Sequence, residues 1–315
     1  MSINQKKIKI VFAGTPLFAV PSLKALLAEP DFAVSTVITQ PDKKTGRQQL
    51  LTPPPVKETA RKHNLPVFQP IRLTEIEEKI KKIAPDLIVV AAYAQIFPTN
   101  ILNIPRFGCL NIHASLLPKY RGAACIQAAI RNGEKKTGVT IMKMDSGLDT
   151  GPILSQDNLT ITKTDTTDTL NIKLAQLGAQ LLVPTIKKYL AGSLKPKPQN
   201  NNLASYAPSL KKEDGHINWL KSAVEIERFV RAMTSWPGAF SYLENKRIKI
   251  LNLQHIPIEI NEYLPGQLFV YNNNLAVQTK KNALLIEKLQ LAGKKSIIGS
   301  DFLRGYQYFL GKLLK

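Results

Sequence analysis

Apolar and polar positions alternate in a way that separates the chain into two kinds of structure. Residues 8–13 form a β-branched apolar run ending at Gly14-Thr15-Pro16, which predicts a strand followed by a turn. Helical spacing follows from Pro21, with proline at a position suited to a first turn. The same logic predicts a strand at 33–39, helices at 55–63 and 74–83, and a strand at 86–92. That last segment is almost wholly apolar, as expected for a strand covered on both faces of a parallel sheet. Strands at 108–113 and 138–144 flank a helix at 122–132, and a long helix covers 167–190, with Leu170, Leu174, Leu177 and Leu181 as its apolar set.

Strands spaced by helices imply βαβ units, and so an α/β domain with a Rossmann-like, mostly parallel sheet over residues 1–190. Residues 191–208 contain three prolines, and three consecutive asparagines at 200–202, a composition that predicts a linker. Beyond it a helix at 224–233 is followed by short strands at 247–253, 266–271, 276–279 and 283–290, divided by Gly, Pro or Asn clusters. This pattern predicts a smaller C-terminal OB-like β-barrel over residues 209–315. No apolar run approaches the ~18 residues of a membrane span, and no signal-peptide pattern is seen at the start. With only two cysteines there is no disulfide framework. A cytoplasmic monomer with no membrane partner is the expectation.

Charge changes the picture. Lys and Arg number 43 against 23 Asp and Glu, a formal net charge of +20, and the excess runs along the whole chain rather than in a tail. Such a field favours polyanionic partners, nucleic acid above all, because each neutralised phosphate releases counterions.

Several chemistries are excluded by pattern. Gly14-Thr15-Pro16 lacks the later glycines of a dinucleotide fingerprint and the Gly-Lys-Ser/Thr ending of a P-loop, and no Gly-x-Ser-x-Gly elbow occurs. His63, His216 and His255 have no ligand-like spacing, so no metal is expected. The densest polar cluster runs from Asn111 and His113 through Ser115, Pro118 and Lys119 to Arg121 and Gly122. Asn111 and His113, two apart on a strand, share a face at its carboxyl end. An amide donor and an imidazole placed there suit stabilisation of a developing oxyanion. A carboxylate should complete the set; Asp86, Asp145 and Asp149 are candidates, and Asp149, within a glycine-flanked loop, is preferred while Asp145 reads as a turn residue.

These segments carry a resemblance. Phe12-Ala13-Gly14-Thr15-Pro16, Gln40-Pro41-Asp42, Asn111-Ile112-His113-Ala114-Ser115-Leu116-Leu117-Pro118, Arg121-Gly122-Ala123-Ala124 and Asp145-Ser146-Gly147-Leu148-Asp149-Thr150-Gly151 stand in the order seen in the methionyl-tRNA formyltransferase family. Trp236-Pro237-Gly238-Ala239 and Ala292-Gly293-Lys294-Lys295 are similar to that family's second domain, so the match spans nearly the whole chain. Ala114 and Cys125 stand where the family usually has Gly and Pro.

The resemblance implies 10-formyltetrahydrofolate as donor, the α-amino group of initiator Met-tRNA as acceptor, and no metal. It implies Asn111, His113 and Asp149 as catalytic residues and Ser115, Leu116, Leu117 and Pro118 as folate contacts. The basic loop carrying Lys43, Lys44 and Arg47 is implied to meet the tRNA. Lys119 and Arg121 flank the site, suited to phosphates, the folate tail or structural capping. Two alternatives remain at this point: a formyltransferase acting on a sugar-nucleotide amine, and a non-enzymatic RNA-binding protein on the same fold.

Overall fold

The computed structural model describes residues 7–46 and 48–315. Packing divides them into two units that are discontinuous in sequence. The first comprises residues through Cys125, Lys136–Thr160 and Asn171–Ala207; the second comprises Ile126–Lys135, Ile161–Leu170 and Pro208–Lys315.

In chain order the strands of the first unit are β1 (Ile8–Gly14), β2 (Phe32–Ile38), β3 (Lys43–Thr45), β4 (Leu50–Thr52), β5 (Val67–Phe68), β6 (Leu87–Ala91), β7 (Cys109–His113), β8 (Lys136–Lys143) and β9 (Ile153–Thr160). The helices to this point are α1 (Val20–Ala28), α2 (Pro55–Lys62), α3 (Glu77–Ile83), α4 (Thr99–Leu102) and α5 (Cys125–Arg131), followed by α6 (Thr167–Leu190). Seven strands form one sheet in the order β5-β2-β1-β6-β7-β8-β9. Pairing is parallel from β5 to β7 and antiparallel from β7 to β9.

All five residues of β6 are buried, so its apolar run reports two covered faces. Each Val, Leu or Ile so buried contributes roughly 1.5–3 kcal/mol, which makes this strand an anchor for its neighbours. β1 sits between β2 and β6, so successive connections run to opposite sides of it. Such a switch point opens a crevice at the carboxyl ends of the strands. There Thr15 and Gln40 both donate to the Tyr93 carbonyl, at 3.4 and 3.2 Å.

Three features differ from the sequence expectation. The helix between β7 and β8 is not a parallel crossover, because those strands pair antiparallel. β9 was not anticipated, since five of its eight positions carry polar side chains or face solvent at the sheet's edge. The basic segment after β2 is not a plain loop: β3 and β4 pair as an antiparallel hairpin, with Lys43 opposite Thr52 and Lys44 opposite Leu51.

The second unit holds α7 (Ala223–Met233), β10 (Phe240–Leu243), β11 (Lys246–His255), β12 (Leu268–Tyr271), β13 (Asn274–Gln278), β14 (Ala283–Leu291), β15 (Ser296–Ile298) and α8 (Gly299–Gly305). Ser222 caps α7 through a reciprocal box with Glu225, and hydrogen bonds from Ser222 hold the Glu225 carboxyl down at about 2. The strands are antiparallel in the order β10-β11-β14-β13-β12, with β15 on β14. The last residues join the two edges. Leu313 bridges Gln267 just ahead of β12, and Lys315 exchanges two backbone bonds of 2.8 Å with Tyr242 of β10. The OB-like barrel is thereby closed, as closure removes exposed sheet edges.

Trp219 is buried and donates to Ser241 Oγ at 2.9 Å, while Trp236 is exposed. Leu314, 4% exposed, is the apolar anchor of the closing segment. Leu314→Ala should lower stability by roughly 2–5 kcal/mol, the range for a buried leucine truncation. Urea unfolding measures this, and an unchanged midpoint would show that the segment does not hold the barrel.

Candidate active site

Asn111 and His113 occupy the carboxyl-terminal half of β7, where alternation puts both side chains on one face. The turn following β8 returns Asp149 to the same place. The three converge on its carboxylate: Asn111 Nδ2 lies 3.5 Å from Oδ1 and His113 Nδ1 3.6 Å from Oδ2. The carboxylate is itself fixed by the Gly122 backbone N–H, which donates to Oδ2 at 2.8 Å. Asp149 adopts φ +53°, a left-handed conformation that costs an L-residue roughly 1–2 kcal/mol and so must be held by its surroundings.

The imidazole is 7% exposed, and its other nitrogen, Nε2, lies 3.0 Å from the Tyr120 carbonyl. A carbonyl oxygen only accepts, so Nε2 carries a hydrogen, and Nδ1 is the nitrogen that faces Asp149. Gly122 is required where it stands. Its φ is +105°, and an added Cβ would lie 2.7 Å from the Ala207 carbonyl oxygen. Asp145 makes turn contacts instead, its Oδ1 accepting from Gly147 N at 3.0 Å and Thr150 Oγ1 at 2.7 Å.

Ser115, Leu116, Leu117 and Pro118 continue directly from β7 and are pinned from behind. Thr140 Oγ1 donates to the Ser115 carbonyl at 2.7 Å and accepts from Leu117 N at 3.1 Å. Gln156 Nε2 donates to the Leu117 carbonyl at 2.9 Å, and Ser115 Oγ to the Lys119 carbonyl at 2.7 Å. The stretch therefore presents a fixed backbone.

Arg121 is not the surface cation that phosphate contact requires: it is 2% exposed and bonded to Gln199 and Asn201. Lys43 and Lys44 are exposed on β3, whereas Arg47 lies outside the described residues. Their hairpin is rooted by Asp42, whose carboxylate takes bonds of 2.7 Å from Gln69 and Lys57 and is held below the usual carboxylate range by them.

Among the described residues, no group of three or more His, Cys, Asp or Glu is placed to hold a metal ion, and no helix is long and apolar enough to cross a membrane. Sequence reasoning missed Gln199, which sits in the stretch expected to be a linker yet donates to the carbonyls of Asp149 and Gly151 at 2.8 and 2.7 Å. No local signal sets it apart from the other polar residues of that stretch.

Cys109 lies on the β7 strand that carries Asn111 and His113, but burial pushes its thiol up to about 12. At pH 8 it should stay protonated and resist iodoacetamide in the native protein. Mass spectrometry of the alkylated chain checks this, and rapid native labelling of Cys109 would contradict it.

Comparison with known proteins bears on the family of the chain. The formyl transferase family model matches residues 6–186, and the formyl transferase C-terminal domain model matches residues 209–307. The methionyl-tRNA formyltransferase of Citrifermentans bemidjiense is 45% identical over 310 residues, covering 98% of this chain and 96% of that protein. That of Bacillus subtilis is 42% identical over 309 residues, covering 97% of each. Among solved structures, an N-formyltransferase from Helicobacter canadensis in complex with folinic acid and dTDP-3-aminofucose superposes with TM-score 0.67 at 23% identity, covering 89% of this chain and 98% of that one. HypX from Aquifex aeolicus in complex with tetrahydrofolic acid gives 0.64 at 18% identity, covering 95% of this chain and 48% of that one. Both structures are similar in fold alone. Matched by both domain models and by relatives of nearly equal length, the chain belongs to the methionyl-tRNA formyltransferase family.

Proposed function

We propose that this formyltransferase moves the formyl group of 10-formyltetrahydrofolate to the α-amino group of initiator Met-tRNA, with Asn111, His113 and Asp149 as its catalytic residues. One observation carries the chemistry: a carboxylate fixed by a backbone N–H stands between an amide and an imidazole at a strand's carboxyl end. The donor folate, when bound, supplies the formyl carbon.

The residues present fit such a donor, because an amide N–H and a protonated imidazole are the groups that receive developing negative charge on a carbonyl oxygen. Asn111 Nδ2 donates to that oxygen. His113 holds or passes a proton at Nδ1, and Asp149 orients the ring and stabilises its charged form. The gaps of 3.5 and 3.6 Å around the carboxylate are long for direct bonds and tighten as the reacting groups arrive. No covalent intermediate on the enzyme is needed, in keeping with two cysteines that are both buried.

The fixed backbone of residues 115–118 supports a role in seating the folate. The tRNA reading rests on relatives that align along nearly their whole length, on the formal charge of +20, and on exposed Lys43 and Lys44 beside Arg47 of the same segment. We assign residues 1–190 to catalysis, 191–208 to the connection and 209–315, the barrel, to tRNA binding. A reducing cytoplasm suits a chain with two cysteines and no disulfide framework.

The test is incubation with 10-formyltetrahydrofolate and Met-tRNA, followed by acid–urea gel mobility. A shifted aminoacyl-tRNA band is expected. An unshifted band, together with formylation of a sugar-nucleotide amine in a parallel assay, would replace the acceptor.

A further inference from the structure

The residues that hold Asp149 in its left-handed conformation lie in the segment between the long α6 helix and the barrel. Gln199 Nε2 donates to the Asp149 carbonyl at 2.8 Å and to the Gly151 carbonyl at 2.7 Å. Its Oε1 accepts from Arg121 Nε at 3.1 Å and from Arg121 Nη2 at 2.8 Å. Arginine has donors only and a carbonyl is an acceptor only, so the Gln199 amide has one orientation that satisfies all four contacts. The guanidinium is also held by Asn201 Oδ1 at 2.8 Å.

The same segment fixes the other side of the imidazole. Ser205 Oγ accepts from Tyr120 N at 2.9 Å, and the Ser205 carbonyl accepts from Arg121 N at 2.8 Å. Ala207 N donates to the Arg121 carbonyl at 2.7 Å. Between these contacts lie the Tyr120 carbonyl that meets His113 Nε2 and the Gly122 N–H that holds Asp149 Oδ2. Segment 199–207 thus runs alongside 120–124, and both polar neighbours of the His113 ring are set from it.

We propose that Gln199, locked by Arg121, is a positioning residue for formyl transfer. By clamping the Asp149 and Gly151 carbonyls it sets the carboxylate's place against His113. The inference rests on the assignment of His113 and Asp149 as catalytic. A side chain that fixes a catalytic group matters because a misplacement near 1 Å costs on the order of 10²-fold in rate.

The discriminating variant is Gln199→Glu. It keeps an acceptor for Arg121 but loses both donors, and turns a carboxylate oxygen toward two carbonyl oxygens. Gln199→Asn is uncharged and one methylene shorter, so it cannot span both groups. For each, kcat should fall roughly 10–100-fold while KM for donor and for tRNA stays within about twofold. The His113 ring 15N resonances should also shift. Asn202→Ala changes an exposed side chain of the same segment that makes none of these contacts, and should keep kcat near the parent value.

His113→Ala and Asp149→Asn are run beside them. If those two retain turnover, the catalytic assignment falls. If they lose it while both Gln199 variants keep parental kcat, or change KM alone, the positioning role is overturned and the assignment stands. Should Gln199→Glu fail to fold, by circular dichroism, Gln199→Asn decides on the same terms.

Discussion

Replacing His113 by alanine should lower kcat by about 10²–10⁴-fold, the range for removal of a positioned acid–base group. The ring is buried, and both its nitrogens are engaged, one by the Tyr120 carbonyl and one by Asp149. The substitution removes the proton carrier and leaves Asp149 bonded to Gly122. Binding of both substrates should therefore persist while the chemical step slows. Single-turnover formylation at saturating substrate separates the two, and near-parental turnover in a folded His113→Ala protein would sink the assignment.

The second large effect is expected at Gly151. A Cβ there would lie 1.9 Å from the Lys143 carbonyl oxygen and 3.0 Å from the carbon that bears it. Both atoms are backbone at the end of β8, so no rotamer change relieves the clash. The neighbouring Lys143 N also bonds the Pro152 carbonyl at 2.9 Å, which ties the turn to the strand. Gly151→Ala must displace the turn that carries Asp149, or else the end of β8.

Overpacking of this kind costs roughly 1–3 kcal/mol, and the shift of Asp149 should reduce kcat on the order of 10²-fold. Gly147→Ala is the natural comparison. Its Cβ would meet Thr150 Oγ1 at 2.0 Å, a side chain on an exposed turn that is free to rotate away from its bond to Asp145. Urea midpoints and initial rates for the pair check the contrast. Equal values for both variants would show that the Lys143 contact is not what shapes the turn.

How much of this was legible depended on what the chain does to its own polar residues. β6 declared itself because a strand buried on both faces has no polar positions to spare, and β1 nearly so, with Lys9 as its one charged side chain. Asn111 and His113 were tied by the two-residue period of β7, which needs no tertiary information. Asp149 was a different matter. Spacing alone offered it beside Asp145, and its glycine-flanked loop together with the resemblance preferred it. In the structure Asp145 spends its carboxylate on Gly147 and Thr150.

Edge strand β9 and the β3–β4 hairpin escaped because exposed strands carry polar side chains that read as loop. Arg121 misled in the opposite direction, since a cation near a site suggests a phosphate until its burial is seen. Gln199 left no trace, because its role is set by contacts to residues 121, 149 and 151, far from it along the chain.

That last separation bears on the order in which the protein is made. Synthesis from the amino end completes β7 and the Asp149 turn long before residues 199–207 exist. A nascent chain, or a fragment cut at residue 190 after the last turn of α6, contains Asn111, His113 and Asp149 in full. Yet it has neither the amide that grips the Asp149 carbonyl nor the serine that anchors Tyr120. Translation past Ala207 is thus the point at which the chain first carries every residue that holds the site, and an ordered Asp149 carboxylate should appear with that segment rather than with the three side chains themselves.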